Sequence, residues 1–141
     1  MTDTIVQRLR TLIIISLILG VGHHFDHAIR GNHVGWPLNG DVNPFTFSLS
    51  AYPVYLYALV LLARRSPYTM PYVAVASPAF ALLVTFVHLT IEPPQDIIAP
   101  HSSLVVGYFA FAWLVALVIS LYGLAFYAGS LWMRQRRTAP A

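Results

Sequence analysis

The run LIIISLILGVGHHFDHAIR, residues 12–30, decides how this chain folds. From Leu12 to Gly22 it carries no charge, and it then meets His23, His24, Asp26, His27 and Arg30 within two helical turns. With Arg8 and Arg10 ahead of it, the run resembles a secretory leader. A leader, however, ends in small residues at a cleavage site, whereas this run ends in histidines. It therefore reads as a retained transmembrane helix whose far end is polar. A hydrocarbon core about 30 Å thick needs roughly 20 residues at about 1.5 Å each.

Three further segments meet that length, so the expected spans are 10–30, 45–63, 71–91 and 102–133. Breakers and caps mark their limits: Gly31-Asn32 and Asn43-Pro44 around the first loop, Ser66-Pro67 in the second, Pro93-Pro94 and Pro100 in the third. Ser102 is the expected N-cap of the last helix. That helix exceeds the core thickness, which implies a tilt or a projection past Trp132. Pro78 inside the third span removes one backbone hydrogen bond and predicts extra space above it.

Composition agrees. Hydrophobic residues make up 57% of the 141, charged residues 9%, and the mean hydropathy is +0.67, too apolar for a globule in water. There is no cysteine, which excludes disulfides, thiolate metal ligands, iron–sulfur clusters and cysteine nucleophiles. The pI near 9.5 comes from arginines beside apolar segments, a pattern of bilayer anchoring; there is no nucleic-acid signal. Arg8, Arg10, Arg64, Arg65, Arg134, Arg136 and Arg137 fall on one side of this topology, with Arg30 alone on the other. The positive-inside rule then places both termini in the cytoplasm and the first and third loops outside. The expected fold is an all-α integral membrane protein, a four-transmembrane-helix bundle occupying residues 1–141 as a single domain. Its surroundings are the lipid bilayer and its chemistry lies on the extracytoplasmic side.

All six histidines, His23, His24, His27, His33, His88 and His101, belong to that outer half or its loops. Steps of about 100° per residue group His23, Asp26, His27 and Arg30 on one arc of helix one, with His24 on an adjoining face. In the third span, His88 and Glu92 stand one turn apart, with Thr85 on the same side. Ionisable groups this far inside a bilayer cost kilocalories unless they face a partner or a polar pocket, so both stripes are expected to point inward. Imidazoles and a carboxylate are the donors favoured by Zn, Fe, Mn or Cu(II), and the expected ligands are His23, His27, His88 and Glu92. Asp26 is the expected acid–base group or imidazole partner, Tyr52 a donor to the reacting group, and Arg30 the cofactor- or anion-binding residue. His-x-x-x-His here is not the zincin motif, since His24 stands where that motif has glutamate.

Four functions fit these residues. One is a membrane-embedded metalloenzyme acting on a lipophilic small molecule. Another is a bis-histidine haem electron-transfer subunit, with Gly20 and Gly22 making room for either a flat cofactor or a neighbouring helix. The others are a metal-free isomerase or ligand-binding module, and a structural subunit in a homo-oligomer or beside other membrane chains. The glycine-rich loop around His33 and Trp36 is expected to cover the cluster as a lid. Tyr52, Tyr55 and Tyr57 read as interfacial anchors or as pocket wall.

Overall fold

The computed structural model describes residues 1–30 and 42–138, the side chains of Arg30 and Thr138 excepted. Among these residues there is no strand. Helix α1 (Asp3–Arg30) is followed by α2 (Pro44–Ser48), α3 (Ala51–Ala63), α4 (Thr69–Phe86), a π-turn (Val87–Ile91), α5 (Pro94–Ile98) and α6 (Leu104–Thr138). Four stretches are long and apolar enough to cross a membrane: Asp3–Ile29, Pro44–Ala63, Thr69–Ile91 and Leu104–Arg137. The loop expected as a lid, with His33 and Trp36, lies outside the described residues, as does the guanidinium of Arg30.

The spans match the expected ones in number, overlap each of them and differ at their ends for local reasons. Helix α1 starts at Asp3, before Arg10, because its first turns already bury Val6 and Leu9 in line with Ile13. The second span is broken at Leu49–Ser50. Pro53 has no N–H for the Leu49 carbonyl and its ring crowds that oxygen, so the chain turns there, with Tyr52 N–H reaching Leu49 O in a tighter i−3 bond of 3.1 Å. Helix α2 begins with a reciprocal cap, in which Thr46 N–H donates to Asn43 Oδ1 and Asn43 N–H to Thr46 Oγ1, both at 2.9 Å. The last helix is capped by Ser103, not Ser102: Val106 N–H meets Ser103 Oγ at 3.4 Å and the helix begins at Leu104.

The four spans form a ring. Helix α6 packs most extensively against α4 and next against α1, while α3 completes the ring with lighter contacts to α1 and α4. This leaves α1 and α4 facing each other across the diagonal. The buried residues of α6, Gly107, Ala110, Leu114, Leu117, Leu121, Leu124 and Ala128, alternate by three and four, the seam of a knobs-into-holes helix. Leu9, Ile13, Leu62, Met70, Val73, Leu124 and Ala128 belong to one core cluster. That core lies toward the end where the side chains of Arg65 and Asp3 meet. Outward positions are apolar too: Phe25, Ile29, Val105 and Phe126 are each more than 60% exposed, a surface suited to hydrocarbon and poorly suited to water.

Candidate metal centre

At the other end, α1 and the π-turn carry the histidines toward each other across the diagonal. The third span cannot continue as an α-helix past Glu92, because Pro93 disfavours helical backbone in the residue before it, and Glu92 leaves the helix at φ −122°, ψ 82°. The last turn widens instead, with Glu92 N–H donating to Val87 O at 2.9 Å across five residues. Such π-bulges re-aim side chains, and this one carries His88.

His23 and His88 are 6% and 7% exposed, and their Nε2 atoms lie 3.0 Å apart. The ring of His27 stands edge-on to that of His23, with centroids at 4.7 Å. One ligand atom from each of His23, His27 and His88 lies within 4.8 Å of the other two. Two nitrogens bound at about 2.0–2.1 Å to one tetrahedral zinc sit roughly 3.3 Å apart, so an ion would need side-chain shifts of about an ångström. Glu92, fully buried, brings Oε2 to 2.7 Å from His88 Nδ1, bent away from ideal alignment, and to 3.7 Å from His27 Nε2.

The structure thus gathers His23, His27, His88 and Glu92, and it sets Asp26 and Tyr52 beside two other histidines. Asp26 faces His101, whose Nε2 is 3.1 Å from Asp26 Oδ1. His101 is accordingly packed in, its side chain 5% exposed. Its loop is held down because Gly107 lets the backbone carbonyl of Ile98 sit directly on α6, where any Cβ would collide with it. Tyr52 belongs to His24. Tyr52 Oη is 2.6 Å from His24 Nδ1, and His24 Nε2 is 2.7 Å from Ser48 Oγ. Since Ser48 O–H donates to Phe45 O at 2.7 Å, its oxygen can accept from His24 Nε2–H. Gly20 O also lies 2.8 Å from Nδ1. Consecutive histidines therefore serve two different groups.

Both groups border one cavity of about 60 Å³, well above the roughly 10–15 Å³ that a water needs. Its walls below the imidazoles are apolar, including Leu17, Phe80, Leu83, Val84 and Leu117. Tyr55, which the sequence marks only as one tyrosine of three, lines its deeper part. The two glycines divide the roles the sequence offered them. Gly22 receives Trp113, whose indole N–H donates to Leu19 O at 2.8 Å, whereas Gly20 faces open space in the cavity wall. His88 also borders a second apolar groove of about 170 Å³ between the π-turn and α6, lined by Leu89, Leu114 and Val118.

The arrangement supplies convergent imidazole nitrogens, a carboxylate behind them and an apolar chamber beside them. No known family, characterised protein or solved structure matches this chain.

Proposed function

We propose that this chain is a bilayer-embedded metalloenzyme acting on a lipophilic small molecule, with one transition-metal ion held by His23, His27 and His88. The observation that carries this reading is the convergence of three imidazoles from two helices on one buried point. Three imidazoles bordering a cavity would suit a catalytic rather than a structural metal site. Neutral imidazoles without thiolates suit Zn, Fe, Mn or Cu(II). When bound, the ion supplies Lewis-acid or redox chemistry at the cavity wall.

The chain's own residues then take distinct parts. Glu92 orients His88 through Nδ1, leaving Nε2 for the ion, the carboxylate–histidine–metal relation seen when an outer group fixes a ligand's tautomer. Tyr52, held by His24, presents a hydroxyl to the substrate from the cavity wall. Asp26 does not border that cavity; it braces the third loop through His101. The positive-inside rule puts the arginine-rich end in the cytoplasm and the histidines outside. A single ion suits the geometry better than haem. A haem would need room for a porphyrin between two ligating imidazoles, and the 3.0 Å between His23 and His88 leaves none.

That same 3.0 Å favours one second reading, a metal-free site in which one imidazole N–H donates to the other ring's nitrogen. Elemental analysis and absorption spectroscopy of detergent-purified protein, beside a His23→Ala/His88→Ala variant, decide between them. The metal reading expects near one equivalent of ion, lost in a variant that keeps its helical circular dichroism. Absence of metal after metal-replete expression would overturn it in favour of the imidazole pair.

A further inference from the structure

Two five-residue helices lie at the histidine end of the bundle, and they are anchored unequally. Helix α5 buries Ile97 to 1% exposure, and its last carbonyl, Ile98 O, is seated against Gly107 of α6. Helix α2 buries none of its residues. Pro44, Phe45 and Ser48 nevertheless line the cavity, while Phe47 of the same helix is 52% exposed, so α2 is a wall one helix thick between the cavity and the surroundings. It joins α3 at Leu49–Ser50, the break that Pro53 imposes. Hinges of moving elements are junctions of this kind, where a few terminal residues absorb the change in φ and ψ.

Contacts with two histidines of α1 hold α2 inward. Ser48 Oγ lies 2.7 Å from His24 Nε2, and the Phe45 ring is tilted against those of His24 and His27, with centroids 5.4 Å apart in each case. Helices α1, α3, α4 and α6 each contribute buried residues to one core cluster, to which α2 contributes none. An element with few buried apolar contacts opens at the lowest cost, so α2 is the wall that gives way first. A wall has to give way for any sizeable lipophile. The cavity of about 60 Å³ is well under half of an apolar cavity of about 150 Å³ that accepts a benzene molecule.

Resting on the reading that this cavity receives the substrate, we infer that α2 is a hinged lid over the imidazole site, pivoting at Leu49–Ser50, with Phe45 as its plug and the Ser48–His24 hydrogen bond as its latch. A lipophile enters by displacing α2, and closure behind it shields the imidazoles from the surroundings. Because His24 contacts both Ser48 and Tyr52, the latch and the Tyr52 hydroxyl are set by the same ring.

The chain has no cysteine, so spin labels attach only where cysteines are introduced. The full chain in lipid nanodiscs carries labels at Phe47→Cys on α2 and Phe126→Cys on α6, both exposed positions, and distances are read by double electron–electron resonance. Gln95→Cys/Phe126→Cys, which reports on the anchored α5, is the control. Ser48→Ala should raise the ratio of displaced to seated α2 about tenfold, equal to about 1.4 kcal/mol. Phe45→Ala should act in the same direction, and neither should move the α5 distance. An α2 distance unchanged by both substitutions overturns the inference, as does an α5 distance that shifts as much as that of α2. The second measurement follows loss of bound Co(II) to EDTA. Ser48→Ala should speed uptake and release alike, about tenfold, with affinity unchanged. A loss of affinity as large as the gain in release rate means that α2 shapes the site rather than gates it, and counts against the lid. A protein that takes up no metal yet shows the latch-dependent displacement of α2 refutes the metalloenzyme reading while leaving this one standing.

Discussion

Toward the arginine end the bundle is filled by Leu9, Ile13, Leu62, Met70, Val73 and Leu124, all nearly or fully buried. Toward the histidine end the same helices surround a cavity of about 60 Å³, with His23 and His88 buried at its edge and Glu92 buried beside His88. The change occurs within single helices. On α1 the buried stripe reads Val6, Leu9, Ile13 and Ser16, then His23. One half supplies order through packing, and the other uses that order to hold polar groups close together where they would otherwise be costly. The division predicts that substitutions in the two halves fail in different ways.

The largest contrast is between neighbouring histidines at the open end. His27→Ala removes one of three converging nitrogens and should reduce bound metal from near one equivalent to under a tenth. His24→Ala, which cuts the tie to Tyr52 and Ser48, should leave metal content near that of wild type. Elemental analysis of both variants checks this. If the two lost metal alike, the separation of the histidines into two groups would be wrong.

In the closed half, Leu124→Ala should lower stability by about 2 kcal/mol while metal per folded protein holds steady. Removing such a side chain from a water-soluble core costs roughly 2–5 kcal/mol; in the proposed membrane setting lipid is as apolar as leucine, so the lost packing would carry most of the cost. Denaturation in mixed micelles, followed by circular dichroism, measures it. Glu92→Gln tests the support behind the triad within the open half. It keeps the shape and removes the charge behind His88, so metal affinity should fall about 10- to 100-fold, read by chelator competition, with thermal stability little changed.

Much of this division was legible in the residues. Four long, predominantly apolar runs announce four spans, and the i,i+4 pairs His23/His27 and His88/Glu92 announce two polar stripes at similar depth. The spacing by three and four of Leu114, Leu117, Leu121 and Leu124 was equally present and marks the face that α6 buries. Other features depend on tertiary arrangement. The pairing of Asp26 with His101 needs Gly107 to bring the third loop onto α6, and the widened turn at His88 follows from Pro93 acting on the end of α4. The assignment of Tyr52 to His24 could not be read from spacing, because it depends on the break at Leu49 that swings α2 beside α1.

The finest test lies in two glycines on α1 that sequence alone treats as equivalent. A Cβ on Gly22 would fall 2.5–2.7 Å from the indole of Trp113, and that indole is fixed by its hydrogen bond to Leu19 O, so the ring has little freedom to retreat. Gly22→Ala should therefore overpack the α1–α6 contact and destabilise by about 1–3 kcal/mol. A methyl group on Gly20 would meet nothing within 4 Å, so Gly20→Ala answers only to the helix's own preference for alanine, worth up to about 1 kcal/mol of stabilisation. That methyl would also enter the cavity that Gly20 borders. Gly20→Ala should accordingly raise the unfolding midpoint slightly, and Gly22→Ala should lower it. If both substitutions shifted stability in the same direction, α1 would not divide between a packed face and a cavity face at this level, and the open half of the bundle would have to be redrawn.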